Sequence, residues 1–201
     1  MTPIARIVRP ALVLFILLSV LTGLIYPVLV AGFAHLLFPW EAGGSIVVRD
    51  RTEMGSRLIG QNFSDPGHFW GRPSATTQQP YNALASGGSN FGPINPALTD
   101  AVRQRIEALH AADPGNPLAV PVDLVTASAS GLDPDISPAA AKYQAARIAR
   151  VHSMPIERVE ALIAAHTSER QLGLFGEARV NVLELNMALD ADSKPVGSAS
   201  N

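Results

Sequence analysis

Apolar residues crowd one stretch of the chain and are periodic in the rest. From Ala11 to Phe38 run 28 consecutive residues without Asp, Glu, Lys or Arg, whereas about 20 apolar residues suffice to cross a bilayer as a helix. The run is too long for the apolar core of a cleaved signal peptide, about 7 to 15 residues, and no A-x-A-like cleavage pattern follows it. It reads as an uncleaved membrane span, with Arg6 and Arg9 before it and Phe38, Pro39 and Trp40 at its far interface. His35 reads as an imidazole one turn from the interface, not a proton relay at depth. Gly23, Ala31, Gly32 and Ala34 offer small surfaces for close helix packing.

Beyond the span, Ser45–Val48 and Gly55–Gly60 read as short strands or turns. Asn95 can cap a helix that has Pro96 at its first position, a stripe of Leu98, Val102, Ile106 and Leu109, and an end near Ala112. Val120–Thr126 reads as a short buried strand. Ser137-Pro138 opens a second helix and Pro155 a third, striped by Ile156, Val159, Leu162 and Ile163. From Val180 to Asp190, Leu183, Leu185, Met187 and Leu189 alternate with polar residues, the pattern of a half-buried strand. The expected architecture is α+β: a cytoplasmic N-terminus (1–10), a transmembrane helix (11–38), a small mixed extracytoplasmic domain (41–190) and a disordered tail (191–201).

Gly60–Pro96 interrupts this periodicity with many Gly, Pro, Asn and Ser residues, and loops of such length in a compact domain usually have a function. Phe69, Trp70, Tyr81 and Phe91 within it suit either a local mini-core or a partner-binding face, and Arg72 either fixes the loop or anchors an interface; the loop is expected to be a partner-binding surface with these five residues as its contacts. Charge narrows the partners. The chain carries 15 basic and 17 acidic residues, and setting aside Arg6 and Arg9 leaves 13 against 17, which argues against nucleic acid.

Catalytic chemistry finds little support. Gly87 and Gly92 have the spacing of a phosphate-binding P-loop, but Pro93 and Ile94 stand where lysine and a hydroxyl are required. A tight turn is the better reading of Ser86–Gly92. There is no cysteine, no G-x-S-x-G elbow, no H-E-x-x-H and no metal-ligand spacing among the five histidines. Asp133-Pro134-Asp135 lacks the other ligands of a calcium loop and reads as a turn before the second helix. Asn62-Phe63-Ser64 is a glycosylation triplet only in a eukaryotic secretory setting. A hydrolase would need Ser128 or Ser130, His166 and Asp133 to meet in space; an anchored extracytoplasmic hydrolase or binding module remains the alternative reading.

Longer stretches carry a resemblance. GSRLIGQNF (55–63), FWGRPSAT (69–76), Tyr81-Asn82, SGGSNFGPINP (86–96), VPVDLVTASASGLDPDISPAAA (120–141), HTSERQLGLFGEARVNVLELNMALD (166–190) and the single span resemble the C subunit of the bacterial Kdp potassium-transporting ATPase, over essentially the whole chain. Phe91, Ala129 and Ala178 depart from the family pattern, Ala129 at a position often held by glycine, where a positive φ would strain alanine. The resemblance implies an inner-membrane accessory subunit without catalytic or metal residues. Its implied partners are a P-type ATPase subunit, a potassium-translocating subunit and a small membrane subunit. It also implies a chaperone-like role that raises the ATPase subunit's affinity for ATP. Ser86, Gly87, Gly88 and Ser89 resemble part of the signature loop of ABC transporters, to which the family's ATP contact has been linked. No cofactor is expected on this chain alone, ATP and potassium being handled by the complex.

Arg6 and Arg9 lie close to the span on one side, while the first basic residue after it, Arg49, sits among Glu41, Asp50 and Glu53. The N-terminus is therefore expected in the cytoplasm and the 161 residues from Glu41 outside it. A reporter active only in the cytoplasm, fused after Asn201, should be silent. Activity there would reverse the orientation.

Overall fold

A computed structural model of the chain describes residues 3–193. They divide into two compact units, meeting in sequence between Met54 and Gly55.

The N-terminal unit is built on one long helix. Helix α1 (Pro3–Val20) passes through a five-residue π-helical turn (Leu21–Ile25) into α2 (Tyr26–Leu37). The wide turn has an identifiable cause. Pro27 has no N–H to give the carbonyl of Gly23, and its ring would crowd that group in a regular helix. The backbone instead bonds five residues back, from the Tyr26 amide to the Leu21 carbonyl. The stretch Arg6–Leu37, 32 residues long with a mean hydropathy of 2.6 in its most apolar 18-residue window, is long and apolar enough to cross a membrane. The short helix α3 (Pro39–Ala42) follows, and the Trp40 indole donates to the Ile46 carbonyl at 3.0 Å. Strands β1 (Ile46–Arg49) and β2 (Thr52–Ser56) form a two-stranded sheet. The intervening Asp50 and Arg51 have φ of 50° and 63°, the left-handed pair that a two-residue hairpin demands.

The C-terminal unit is α+β. Helix α4 (Pro96–Ala112) begins under the expected Asn95 cap, whose side chain accepts from the Ala97 amide at 3.0 Å. Helix α5 (Pro138–Val151) begins under Ser137, which accepts from Ala140. Helix α6 spans Ile156–Ala165, with Pro155 just outside it. Three short antiparallel strands, β3 (Asp135–Ile136), β4 (Thr167–Ser168) and β5 (Arg179–Asn181), lie in the order β3-β5-β4. Asp135 and Ile136 face Asn181 and Val180, while Thr167 and Ser168 face Val180 and Arg179. Helix α5 is buried on almost every side, through Ala140, Ala141, Tyr143, Ala145, Ile148 and Ala149, and packs on α6.

Several expectations are corrected. Val182–Ser193 is helix α7, not a strand, so the unit has four helices. Val182, Leu185, Asn186 and Leu189 are buried and spaced as one helical face; Leu183 is buried beside them, and with Leu185, Met187 and Leu189 it makes the alternation that imitates a strand. Asn181 caps it, accepting from the Glu184 amide at 3.1 Å. The helix runs through Ala191, Asp192 and Ser193, where a disordered tail is expected; positions 194–201 lie outside the described residues. Val122–Leu124 is a single 3₁₀ turn rather than a strand, and Asp133–Asp135 leads directly into β3. The positive φ near Ala129 belongs to Gly131 (68°), so Ala129 carries no such strain.

The long loop is the main surprise. Phe69 is completely buried and Trp70 is 7% exposed, both within the core with Ile136, Ile148, Val180 and Leu185. The expectation that these two form a partner-binding face is corrected: their surface is already used inside the unit. Trp70→Ala should destabilise the unit by about 3–5 kcal/mol, read as a lower thermal midpoint of the full chain in detergent. Phe91→Ala, at a position 40% exposed, should stay within about 0.5 kcal/mol of the parent.

Candidate functional site

The loop becomes buried through a set of polar side chains that replace a neighbouring strand. Asn186 of α7 accepts from the Phe69 amide at 2.8 Å and donates to the Phe69 carbonyl at 3.0 Å. Gln144 of α5 does the same for Trp70, accepting at 2.8 Å and donating at 3.1 Å. Both carboxamides are buried, as unpaired backbone groups at that depth require. The Arg147 guanidinium donates to the Pro66 and His68 carbonyls and to Gln144 Oε1, so Gln144 is held from both ends. Burial pushes the Arg147 pKa down to about 10. Two cations stack over the Trp70 ring, with the Arg147 guanidinium carbon 5.0 Å and that of Arg105 5.2 Å from its centroid. Arg105 in turn donates to the carbonyls of Gly71 and Leu124, and burial lowers its pKa.

This scaffold directs the half-buried Arg72 outward toward Asp133, 3.1 Å away, and toward the carbonyls of Thr126 and Ala127. The Tyr81 hydroxyl donates to the Arg72 carbonyl at 2.6 Å. Burial raises its pKa, with Arg105 opposing. Tyr81 also lies against Gly60 and Gly71, where a Cβ would come within 2.2 Å of its ring and 2.8 Å of its hydroxyl. Of the five expected partner contacts, Phe69 and Trp70 are therefore core, Arg72 and Tyr81 are half-buried and internally bonded, and Phe91 alone is exposed.

Arg72 forms part of an open groove of about 620 Å³, shared with Val122, Asp123, Asp133, Asp135, Glu177 and Arg179. Asp135 pairs with Arg179 at 3.1 Å. Its pKa is raised by burial and then by the charge of Asp133, against the opposing hydrogen bond from Asn181. Asp123 accepts from the Ser137 amide at 2.7 Å. Asp133 also accepts from the Asp135 amide, fixing the turn into β3.

The glycine loop is spent on structure. The Gly87 amide and the Ser86 hydroxyl both donate to the Ser130 carbonyl, at 2.8 and 3.0 Å. Gly88 lies on the backbone of Ala129, where a Cβ would stand 3.0 Å from that carbonyl. Ser86, Gly87 and Gly88 thus dock against the Ser128–Gly131 turn; Ser89, beside them, is exposed. The hydrolase set does not assemble either. His166 Nδ1 meets its own helix at the Leu162 carbonyl, Ser128 and Ser130 accept from the amides of Gly131 and Leu132, and Asp133 faces Arg72. Among the described residues no hydrogen bond joins the three.

Sequence reasoning missed Gln144, Asn186, Arg105 and Arg147. A signal was present for two of them: Gln144 interrupts the Ala140–Ile148 stripe, and Asn186 the Val182–Leu189 stripe, each a polar side chain on an otherwise buried face.

Comparison with known proteins covers nearly the whole chain. Residues 8–191 match the family model described as "K+-transporting ATPase, c chain". The chain is 70% identical over 188 residues to the potassium-transporting ATPase KdpC subunit of Variovorax paradoxus, covering 94% of this chain and 97% of that one. It is 68% identical over 193 residues to the same subunit of Polaromonas naphthalenivorans, covering 96% and 98%. With the subunit of Methylococcus capsulatus the identity is 57% over 183 residues, covering 91% and 96%.

The docked glycine loop generates a contrast between two substitutions. Gly131→Ala would place a Cβ at positive φ, 2.8 Å from the Gly87 carbonyl and 2.7 Å from Thr76 Cγ2. It should cost about 1–3 kcal/mol. Gly87→Ala, with nothing within 4 Å of the new Cβ, should be close to neutral in both melting temperature and transport by the assembled complex.

Proposed function

The chain belongs to the KdpC family of K+-transporting ATPase subunits, and from that membership we propose that it is a non-catalytic accessory subunit. It binds together a P-type ATPase subunit, a potassium-translocating subunit and a small membrane subunit, with its N-terminus in the cytoplasm and its C-terminal unit outside. The observation that carries this reading is the state of the long helix. None of its most apolar 18-residue window is buried within the chain, and between Arg9 and Glu41 there is no Asp, Glu, Lys or Arg. Such a helix offers an ion no coordinating path of its own, so it contributes to transport through the helices it packs against.

The family-level role of raising the ATPase subunit's affinity for ATP then belongs to coupling between subunits. In the proposed orientation the C-terminal unit and cytoplasmic ATP lie on opposite sides of the bilayer. The glycine loop, moreover, has committed Ser86 and Gly87 to Ser130. A subunit that binds the ATP-ready form of its partner more tightly lowers the ATP requirement without touching the nucleotide, by typically 5–150-fold for a coupling of about 1–3 kcal/mol.

Two measurements on purified components test this together. Adding the chain to a complex prepared without it should lower the KM for ATP by about fivefold or more and restore potassium-stimulated hydrolysis. Titrating ATP into the full chain alone, in detergent, should give no binding tighter than about 1 mM. An unchanged KM removes the coupling role, and tight binding by the chain alone replaces it with direct nucleotide contact.

A further inference from the structure

Between β4 and β5 the chain runs out and back as a braced hairpin. Gln171 and Phe175 exchange both backbone hydrogen bonds at 2.9 Å, and Arg170 and Glu177 pair across the base at 2.5 Å. The turn is made by Leu172 and Gly173 at φ of 53° and 71°, and Gly176 follows at 74°. A leucine in the left-handed region is a costly choice for a simple connection. Here it holds three large apolar side chains in the open: Leu172 is 88% exposed, Leu174 77% and Phe175 63%. The hairpin's returning arm, through Glu177 and Arg179, also lines the groove described above, and Val122, in the same lining, is 71% exposed.

The groove has a sign. Asp123, Asp133, Asp135 and Glu177 line it; Asp133 is paired with Arg72, Asp135 with Arg179 and Glu177 with Arg170, which leaves the charge of Asp123. Asp123 accepts from one amide and has no cationic partner among the described residues. A bilayer surface is a poor occupant, because anionic headgroups would face the uncompensated Asp123 carboxylate. A second copy of this chain is a poor occupant too, since the arginines its own hairpin would bring, Arg170 and Arg179, are already paired with Glu177 and Asp135.

We propose that the 170–177 hairpin and this groove form a single docking surface for a partner subunit of the transporter, one that presents an apolar pocket to Leu174 and Phe175 and a lysine or arginine to Asp123. The proposal rests on the accessory-subunit reading and adds the face and the chemistry through which it acts. Exposed apolar side chains on a rigid tip suit an anchor, because little conformational freedom is lost when it is buried. The Asp123 carboxylate, in the groove that the hairpin's returning arm lines, sets register and rejects partners without a cation.

The test uses the assembled complex with a photo-crosslinking phenylalanine derivative at position 174. Irradiation should join this chain to one defined segment of a partner subunit, with a lysine or arginine within a few residues of the adduct. Asp123→Asn keeps an oxygen to accept from the Ser137 amide and removes only the charge. It should cut the crosslink yield by about tenfold, the scale of one lost interfacial charge pair. Leu174→Ser with Phe175→Ser, which alters exposed positions, should release the subunit from the complex while leaving its melting transition unchanged. Crosslinks only to lipid, only to another copy of this chain, or to a partner segment with no basic residue would overturn the proposal. So would a yield unmoved by Asp123→Asn, or a complex that keeps the Leu174/Phe175 variant. If the parent chain fails to co-purify with any transporter subunit, the accessory-subunit reading fails; co-purification without a partner crosslink from position 174 sinks the docking surface alone.

Discussion

A segment with no helix or sheet of its own can be buried only if its backbone N–H and C=O groups find partners elsewhere. In this protein the side chains of Asn186 and Gln144 supply them for Phe69 and Trp70. The rest of the C-terminal unit follows from that constraint. Phe69 can then fill the core with Ile148 and Leu185, and the Trp70 ring can meet the guanidinium groups of Arg105 and Arg147. Replacing either carboxamide by an apolar group would strand one donor and one acceptor in a nearly dry interior, which costs far more than the hydrogen bonds contribute when made. The arrangement therefore ties α5 and α7 to a stretch of chain more than seventy residues from the first and more than a hundred from the second.

A loop fixed in this way serves as a platform. Arg72 follows Trp70 by two residues, so its position at the groove beside Asp133 is inherited from the buried pair. The glycine loop, docked on Ser128–Gly131, steadies the turn that leads into Asp133 of the same groove. What a subunit of a multi-chain transporter needs from an accessory domain is a surface that does not rearrange when a partner arrives. This unit supplies one from polar contacts that its own sequence pattern barely advertises.

Elements whose signals are local were legible in the sequence. Asn95 with Pro96, and Ser137 with Pro138, announce their helices through capping chemistry that needs no tertiary context. The apolar run from Ala11 announces a span by length alone. Helix α7 was hidden because Leu183, Leu185, Met187 and Leu189 alternate, while the residue that completes its helical stripe is the polar Asn186. The Asn181 cap was the local clue that outweighs the alternation. Trp70 and Phe69 could not be assigned to core or surface from composition. Their burial depends on Gln144 and Asn186, which stand 74 and 117 residues away in the chain. Their exposed counterparts, Leu172, Leu174 and Phe175, were disguised by the surrounding glycines as an ordinary turn.

Hydrogen exchange at the amides of Phe69 and Trp70, in the full chain in detergent, measures the central constraint directly. If the two carboxamides bury this segment as core, both amides exchange as slowly as those of Ala145 and Ile148 in α5, through opening of the whole unit. If the segment is a surface loop that merely rests on the helices, both exchange orders of magnitude faster, with the amides of Ser89 and Phe91, while α5 stays protected. That result would contradict the account.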